Sequence, residues 1–298
     1  MTSPELTICW SITTKCNMSC YYCFSKHDHQ NSSEDMTFQV KKAVFDRFKE
    51  LQGKQSIRLV ILGGEPTLYN GFHELCNEVL SLCRKVVIVT NGSRPEILEN
   101  LPDEISIDLS YHGQELERFK KTIDRIRKTK FLQVLCVLDP KCIDRCIKLH
   151  KWCLSNSIPF EAIPLVDNDS EIAALYPDSL IDEFLKSPVY YSSDMFPLRG
   201  NMLSHIDIYK IGRDKQWNIQ PGFQLCHQTN IAIYTDGSVY PCCRTGRINH
   251  KTDVFDKSCM RYQIPCNHPW CLENRGCLDM AGWRQDPDGF LPWNHKSV

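Results

Sequence analysis

Short β-branched and aliphatic runs alternate along this chain with stretches of amphipathic, helix-like periodicity. The runs Leu6–Ile12, Ile57–Leu62, Val86–Thr90, Ile105–Leu109, Phe131–Leu138 and Phe160–Val166 predict strands. The periodic stretches predict helices over about Thr37–Leu51, Phe72–Cys83, Glu115–Lys130 and Lys141–Leu154, with a shorter, poorer one near Pro95–Leu101. Such alternation implies parallel strands joined by right-handed helical crossovers. Six of these strands with an open lateral side would make an α/β fold, a partial (β/α)6 barrel. Parallel sheets of this kind place their sites at the C-terminal edge of the strands.

The pattern breaks after about residue 170. Pro177, Pro188, Pro197 and Pro221 punctuate weak helical signal and a loop rich in Ser, Tyr and Asp. The stretch from Phe223 to Trp293 carries seven cysteines, Cys226 to Cys277, and little helical periodicity. The expected organisation is a barrel over 1–170, a bridging segment over 171–222 that covers the open barrel edge and shapes a substrate pocket, and a small cysteine-rich domain over 223–298.

Composition narrows the class. The 298 residues are 42% hydrophobic and 24% charged, which suits one large α/β domain with or without a small one. A net charge of −1 without a long basic run argues against affinity for nucleic acid or an anionic membrane. Neither a signal peptide nor an apolar stretch of transmembrane length is visible. Seventeen cysteines in an unexported chain point to metal or cluster chemistry rather than a disulfide framework. The expectation is a soluble, cytoplasmic, oxygen-sensitive protein.

Cys16, Cys20 and Cys23 stand at C-x3-C-x2-C spacing just after the first predicted strand. Three thiolates on so short a loop can each ligate one iron of a 4Fe–4S cube and leave the fourth iron open, whereas four cysteines give a coordinatively full electron carrier. A zinc knuckle is the alternative, although zinc asks for four ligands and usually shows paired knuckles. The spacing, the aromatic pair Tyr21-Tyr22 and Phe24 resemble the signature of the radical S-adenosylmethionine (SAM) enzymes. The resemblance implies the partial barrel, a cube whose open iron is chelated by SAM, and cleavage of SAM to a 5′-deoxyadenosyl radical that abstracts hydrogen. It also implies a reductant of the flavodoxin or ferredoxin type.

Gly63-Gly64-Glu65-Pro66 follows the second predicted strand. A carboxylate and close-approaching backbone at a strand end suit an ammonium group. In the resembled family this motif binds the SAM amino group. Asn91, at the end of strand three, and Asp108, Ser110 and His112, around the end of strand four, offer side chains for ribose hydroxyls and the SAM carboxylate. Ile163 on strand six matches the place of apolar contacts to adenine.

In the tail, Ile231 to Cys243 reads as a β-hairpin about the Asp236-Gly237 turn, bringing Cys242 close to Cys226. Cys266, Cys271 and Cys277 follow at C-x4-C-x5-C. This resembles the SPASM and shortened twitch extensions of radical SAM enzymes, which hold auxiliary 4Fe–4S clusters. A full SPASM module has C-x2-C-x5-C and a further cysteine, so the resemblance implies one auxiliary cluster, on Cys226, Cys242, Cys271 and Cys277, with Cys266 as a substitute. A structural zinc ribbon is the competing use of the same thiols. Cys243 is a spare ligand, a packed thiol or a catalytic hydrogen donor. Cys9, Cys76, Cys83, Cys136, Cys142, Cys146 and Cys153 fall on apolar strands or helix faces and read as core.

Two classes of function follow. One is a radical SAM oxidoreductase or epimerase. It would oxidise or cross-link a sugar, an aminocyclitol or a ribosomal peptide, or epimerise it with Cys243 returning hydrogen. Only a few residues precede the first strand, which shifts the expectation toward small substrates. The other is a non-catalytic iron–sulfur or zinc scaffold.

Overall fold

The computed structural model describes residues 6–23, 34–130, 132–165, 176–184, 224–226, 230–240, 252–255, 264–266, 284–286 and 289–291. In chain order these form β1 (Leu6–Ser11), α1 (Phe38–Leu51), β2 (Ile57–Leu62), α2 (Phe72–Leu80), β3 (Lys85–Thr90), α3 (Pro95–Glu99), β4 (Ile105–Tyr111) and α4 (Leu116–Ile126). There follow β5 (Leu132–Leu138), α5 (Ile143–Ser155), β6 (Phe160–Pro164), α6 (Asp178–Phe184) and β7 (Gln224–Cys226). The tail adds β8 (Asn230–Ile233), β9 (Ser238–Tyr240), β10 (Thr252–Asp253), β11 (Ile264–Cys266), β12 (Arg284–Asp286) and β13 (Gly289–Leu291). The chain is an α/β protein with a parallel sheet, as its hydrophobic pattern predicts.

Two compact units divide the chain. The first holds Met1–Ser110, Glu117–Leu132 and Thr229–Tyr262. In it β1, β2, β3 and β4 pair in parallel and in order, with Leu6 opposite Ile57 and Val86 opposite Ile105. β2 is buried along most of its length, as a parallel strand covered on both faces must be. Helix α1 begins where the Thr37 hydroxyl accepts the Val40 N–H at 3.2 Å, and it buries Val40, Val44 and Phe48. Phe48 meets the buried Trp10 of β1 edge-to-face at 6.0 Å between ring centroids. Complete burial of such a ring contributes about 2 kcal/mol.

The tail hairpin joins this unit. β8 lies parallel to β1, with Thr7 opposite Asn230 and Trp10 opposite Ile233, so a strand from the tail occupies the free edge of β1. β9 returns antiparallel to it around Asp236, whose carboxylate accepts the Ser238 N–H at 2.9 Å, and β10 pairs with β9. Arg47 of α1 reaches across to donate to the Val254 carbonyl at 3.2 Å. The pattern predicts this hairpin but not its partner strand; edge cover was expected from 171–222, of which only 176–184 is described.

The second unit holds Tyr111–Leu116, Gln133–Gln228 and Gln263–Val298. β5 and β6 pair in parallel there, with Val134 opposite Phe160. α5 packs through Cys146, Leu149, His150 and Cys153, and the His150 ring sits 4.9 Å from Phe160 and 5.0 Å from Phe184. The Tyr176 hydroxyl donates to the Leu138 carbonyl and accepts the Leu165 N–H. Cys136, Cys142, Cys146 and Cys153 are buried, as core positions should be. Burial pushes the Cys142 thiol up to about 12, and does the same to Cys76 and Cys83 in the first unit. β7 and β11 pair antiparallel, setting Cys226 opposite Ile264 and Cys266 opposite Gln224, so the two cysteine positions share one face of the ribbon.

Candidate active site

The parallel ladder between β1 and β2 does not stop where the strands do. Ile12 N–H donates to the Leu62 carbonyl at 3.1 Å, Gly64 N–H to Thr13 at 2.8 Å and Glu65 N–H to Lys15 at 2.7 Å. The segment that becomes the cysteine loop is therefore laid directly on the Gly63-Gly64 turn. A Cβ on Gly63 would fall 2.4 Å from the Thr13 carbonyl oxygen, and one on Gly64 2.2 Å from that of Lys15. Gly63 also has φ +147°, a region that side chains disfavour. Loop and turn can touch only because both residues are glycine.

The returning end of the loop is fastened beside its start. Thr13 donates through its hydroxyl to Asp35 at 2.7 Å, Lys15 pairs with Asp35 at 2.8 Å, and Met36 N–H donates to the Ile12 carbonyl at 3.0 Å. Burial alone would raise the Asp35 carboxyl, but the hydrogen bonds from Lys15 and Thr13 outweigh it and hold the group below its usual value. Lys15 and Glu34 thus lie side by side at the C-terminal end of β1.

On this loop Cys16 is exposed and Cys20 and Cys23 are half-buried. Burial raises the Cys16 and Cys20 thiols, and repulsion among the three sulfurs adds to the rise. The Met18 N–H donates to the Cys16 sulfur at 3.4 Å and works the other way. Charging the Cys16 and Cys20 sulfurs therefore calls for a cationic partner. Among the described residues no three His, Cys, Asp or Glu side chains are gathered as around a single ion. A cube asks for a different arrangement, one thiolate for each of three irons, and the donor set fits that demand.

Glu65 is fully buried and its carboxylate meets four protein donors. Oε1 accepts the Thr67 N–H at 3.2 Å and the Thr67 and Thr90 hydroxyls at 2.6 Å each, while Oε2 accepts the Asn91 N–H at 2.8 Å. The motif reading aimed this carboxylate at an ammonium group. The structure makes it first the tie between the ends of β2 and β3, with only Oε2 keeping acceptor capacity. Pro66 is buried and opens the single 3-10 turn that Glu65 caps.

Asn91 is likewise engaged: its carboxamide donates to the Asn17 side-chain Oδ1 at 2.9 Å and accepts the Ser93 N–H at 2.9 Å. Asp108, half-buried, and Ser110, buried, lie two apart on β4, hence on one face of the strand. His112 and Ile163 belong to the second unit. The His112 backbone N–H donates to the Gln114 side-chain Oε1 at 2.6 Å, and burial lowers its imidazole to about 4. Ile163 is half-buried on β6, opposite Val137. In the tail only the backbone register of Cys226 is described; Cys242, Cys243, Cys271 and Cys277 lie outside the described residues. Asn17, Thr13 and Asp35 are not among the residues that the motifs single out. Asn17 alone carried a signal, a polar residue set inside the cysteine motif.

Residues 10–139 match the radical SAM superfamily, and this segment is a radical SAM domain, of a family that binds a 4Fe–4S cluster and SAM. The chain is 38% identical over 82 residues to the S-adenosylmethionine-dependent nucleotide dehydratase of Selenomonas ruminantium, covering 28% of each chain. It is 31% identical over 116 residues to the mycofactocin maturase MftC of Mycolicibacterium smegmatis, covering 38% of this chain and 29% of that one. It thus spans less than a third of these curated relatives. Streptococcus suis SuiB, solved with its precursor peptide SuiA, has the same fold, with TM-score 0.59 and 18% identity over 85% of this chain and 63% of that one.

Proposed function

We propose that this protein is a radical SAM enzyme that abstracts hydrogen from a peptide or small-molecule substrate and completes an oxidation or cross-link with the help of an auxiliary cluster. The observation that carries the reading is the backbone zipper from Thr13 and Lys15 to Gly64 and Glu65, which sets a three-cysteine loop on the turn suited to the amino acid end of SAM. Cys16, Cys20 and Cys23 would hold a 4Fe–4S cluster. That cluster, once reduced, supplies the electron that cleaves SAM to a 5′-deoxyadenosyl radical.

The chain's own residues would do the rest. Gly63 and Gly64 admit the loop and present backbone to the ammonium group, and Oε2 of Glu65 adds one acceptor. Asp108 and Ser110 would take ribose hydroxyls or the SAM carboxylate. His112 and Ile163 keep the roles that the resemblance implies for them, the ribose hydroxyls or SAM carboxylate and the adenine contact. In the tail Cys226, Cys242, Cys271 and Cys277 would hold the auxiliary cluster. The shared ribbon face of Cys226 and Cys266 supports Cys266 as a further candidate.

The 31% identity to a maturase supports a peptide substrate, and the 38% identity to a nucleotide dehydratase supports a small molecule. The electron would come from a flavodoxin- or ferredoxin-type protein. Anaerobic reconstitution of the full chain tests both clusters, because two 4Fe–4S sites hold about eight irons, and alanine at Cys16, Cys20 and Cys23 together should leave about half of them. About four irons and a zinc would make the tail structural, and a chain that takes up no iron would refute the reading.

A further inference from the structure

We propose that Asn17 positions the cysteine loop through a closed ring of hydrogen bonds with Asn91 and Ser93, and that holding this ring is the task of the Asn91 carboxamide. The inference rests on the reading that Cys16, Cys20 and Cys23 hold a cluster. Asn17 Nδ2 donates to the Ser93 hydroxyl at 2.8 Å, Ser93 N–H donates to Asn91 Oδ1 at 2.9 Å, and Asn91 Nδ2 donates to Asn17 Oδ1 at 2.9 Å. The Asn91 backbone N–H is itself anchored on buried Glu65. Each member donates one bond and accepts one, so the ring has a single sense. At position 17 a carboxamide meets both needs at once, whereas a carboxylate loses the donor and a methyl group loses both.

The consequence falls on Cys16. Its neighbour Lys15 is pinned through the backbone to the end of β2, and its neighbour Asn17 is pinned through the side chain to the end of β3. Cys16 therefore starts from a position fixed on both sides, although its side chain is exposed. Asn17 is also exposed, and Ser93 is half-buried, so the ring adds little to the stability of the fold. Its effect belongs to where the loop sits on the Gly63-Gly64 turn. Asn17 is thus a positioning residue, which acts through the loop on the cluster and its SAM site.

The test uses the full chain, reconstituted anaerobically and reduced, with the electron paramagnetic resonance signal of the cluster followed as SAM is added. Asn17→Ala keeps all three thiols and should keep its iron, but should need about tenfold more SAM for the half-maximal spectral change. Asn91→Ala should behave alike, and the double variant should be no worse than either single one, since either change opens the same ring. Asn17→Asp, which keeps the acceptor for Asn91, should recover part of the loss. A wild-type titration for Asn17→Ala, or additive effects in the double variant, overturns the proposal. If Asn17→Ala melts lower than wild type without iron, Ser93→Ala decides: a weakened SAM response upholds the ring and an unchanged one refutes it. A wild-type cluster that ignores SAM brings down the reading of the site and this inference with it. A responsive wild type matched by Asn17→Ala brings down the inference alone.

Discussion

The Thr90 hydroxyl donates to the buried carboxylate of Glu65 at 2.6 Å, joining the last residue of β3 to the turn after β2. Two strand ends are thereby locked side by side at the edge where the cysteine loop also lands. The contact is one of four that converge on Glu65, whose side chain is fully buried.

Replacing Glu65 by glutamine keeps its shape but turns one acceptor oxygen into a donor facing donors. We expect Glu65→Gln to cost about 3 kcal/mol in chemical denaturation, and Thr90→Val, which removes one donor, about 1 kcal/mol. Wild-type stability in Glu65→Gln would mean the four contacts do not hold the turn.

Gly64→Ala leaves every thiol in place but puts a methyl group where the Lys15 carbonyl lies, 2.2 Å from its oxygen. Backbone cannot yield as a side-chain tip would, so the loop must lift. The variant should fold, bind SAM at least about tenfold more weakly and lose most of its SAM cleavage, as measured by SAM titration and product chromatography. Unchanged binding would separate the glycines from the site.

His112 provides a pH signature. Its imidazole titrates at about 4 in the folded chain because burial disfavours the charged form, against about 6.5 when unfolded. Below 6.5 the unfolded chain binds the extra proton, so stability is complete above that pH and falls as pH drops toward 4, by up to about 3 kcal/mol. Melting temperatures measured across this window should fall more steeply for wild type than for His112→Gln. Parallel curves would contradict the half-buried, neutral imidazole.

Much of this was legible in the sequence. The strand Ile57–Leu62 follows residue for residue from its apolar run, and the runs Ile105–Leu109 and about Thr37–Leu51 anticipate the strand Ile105–Tyr111 and the helix Phe38–Leu51, because burial on a parallel sheet enforces the pattern. The cysteine spacing and Gly63–Pro66 mark the candidate site because their chemistry is local. What was not legible is long-range. Nothing in the run Ile231–Ile233 says that it pairs with β1, since any free strand edge would accept it. Nothing in Glu65 says that its lone pairs belong to Thr67, Thr90 and Asn91. Asn17 and Ser93 meet across 76 positions, and only the folded sheet brings them together.

Cys243→Ala separates the two chemistries proposed to follow hydrogen abstraction. Oxidation predicts that Cys243→Ala keeps most of its activity and that product made in heavy water carries no solvent deuterium. Deuterium in the wild-type product that disappears in the variant would instead establish epimerisation.

The central claim is that the three-cysteine loop supports reductive cleavage of SAM. Reconstituted chain incubated with SAM and dithionite should form 5′-deoxyadenosine, and alanine at Cys16, Cys20 or Cys23 should each abolish it. Undiminished 5′-deoxyadenosine from any one of these variants, or none from the wild-type chain, would contradict the account.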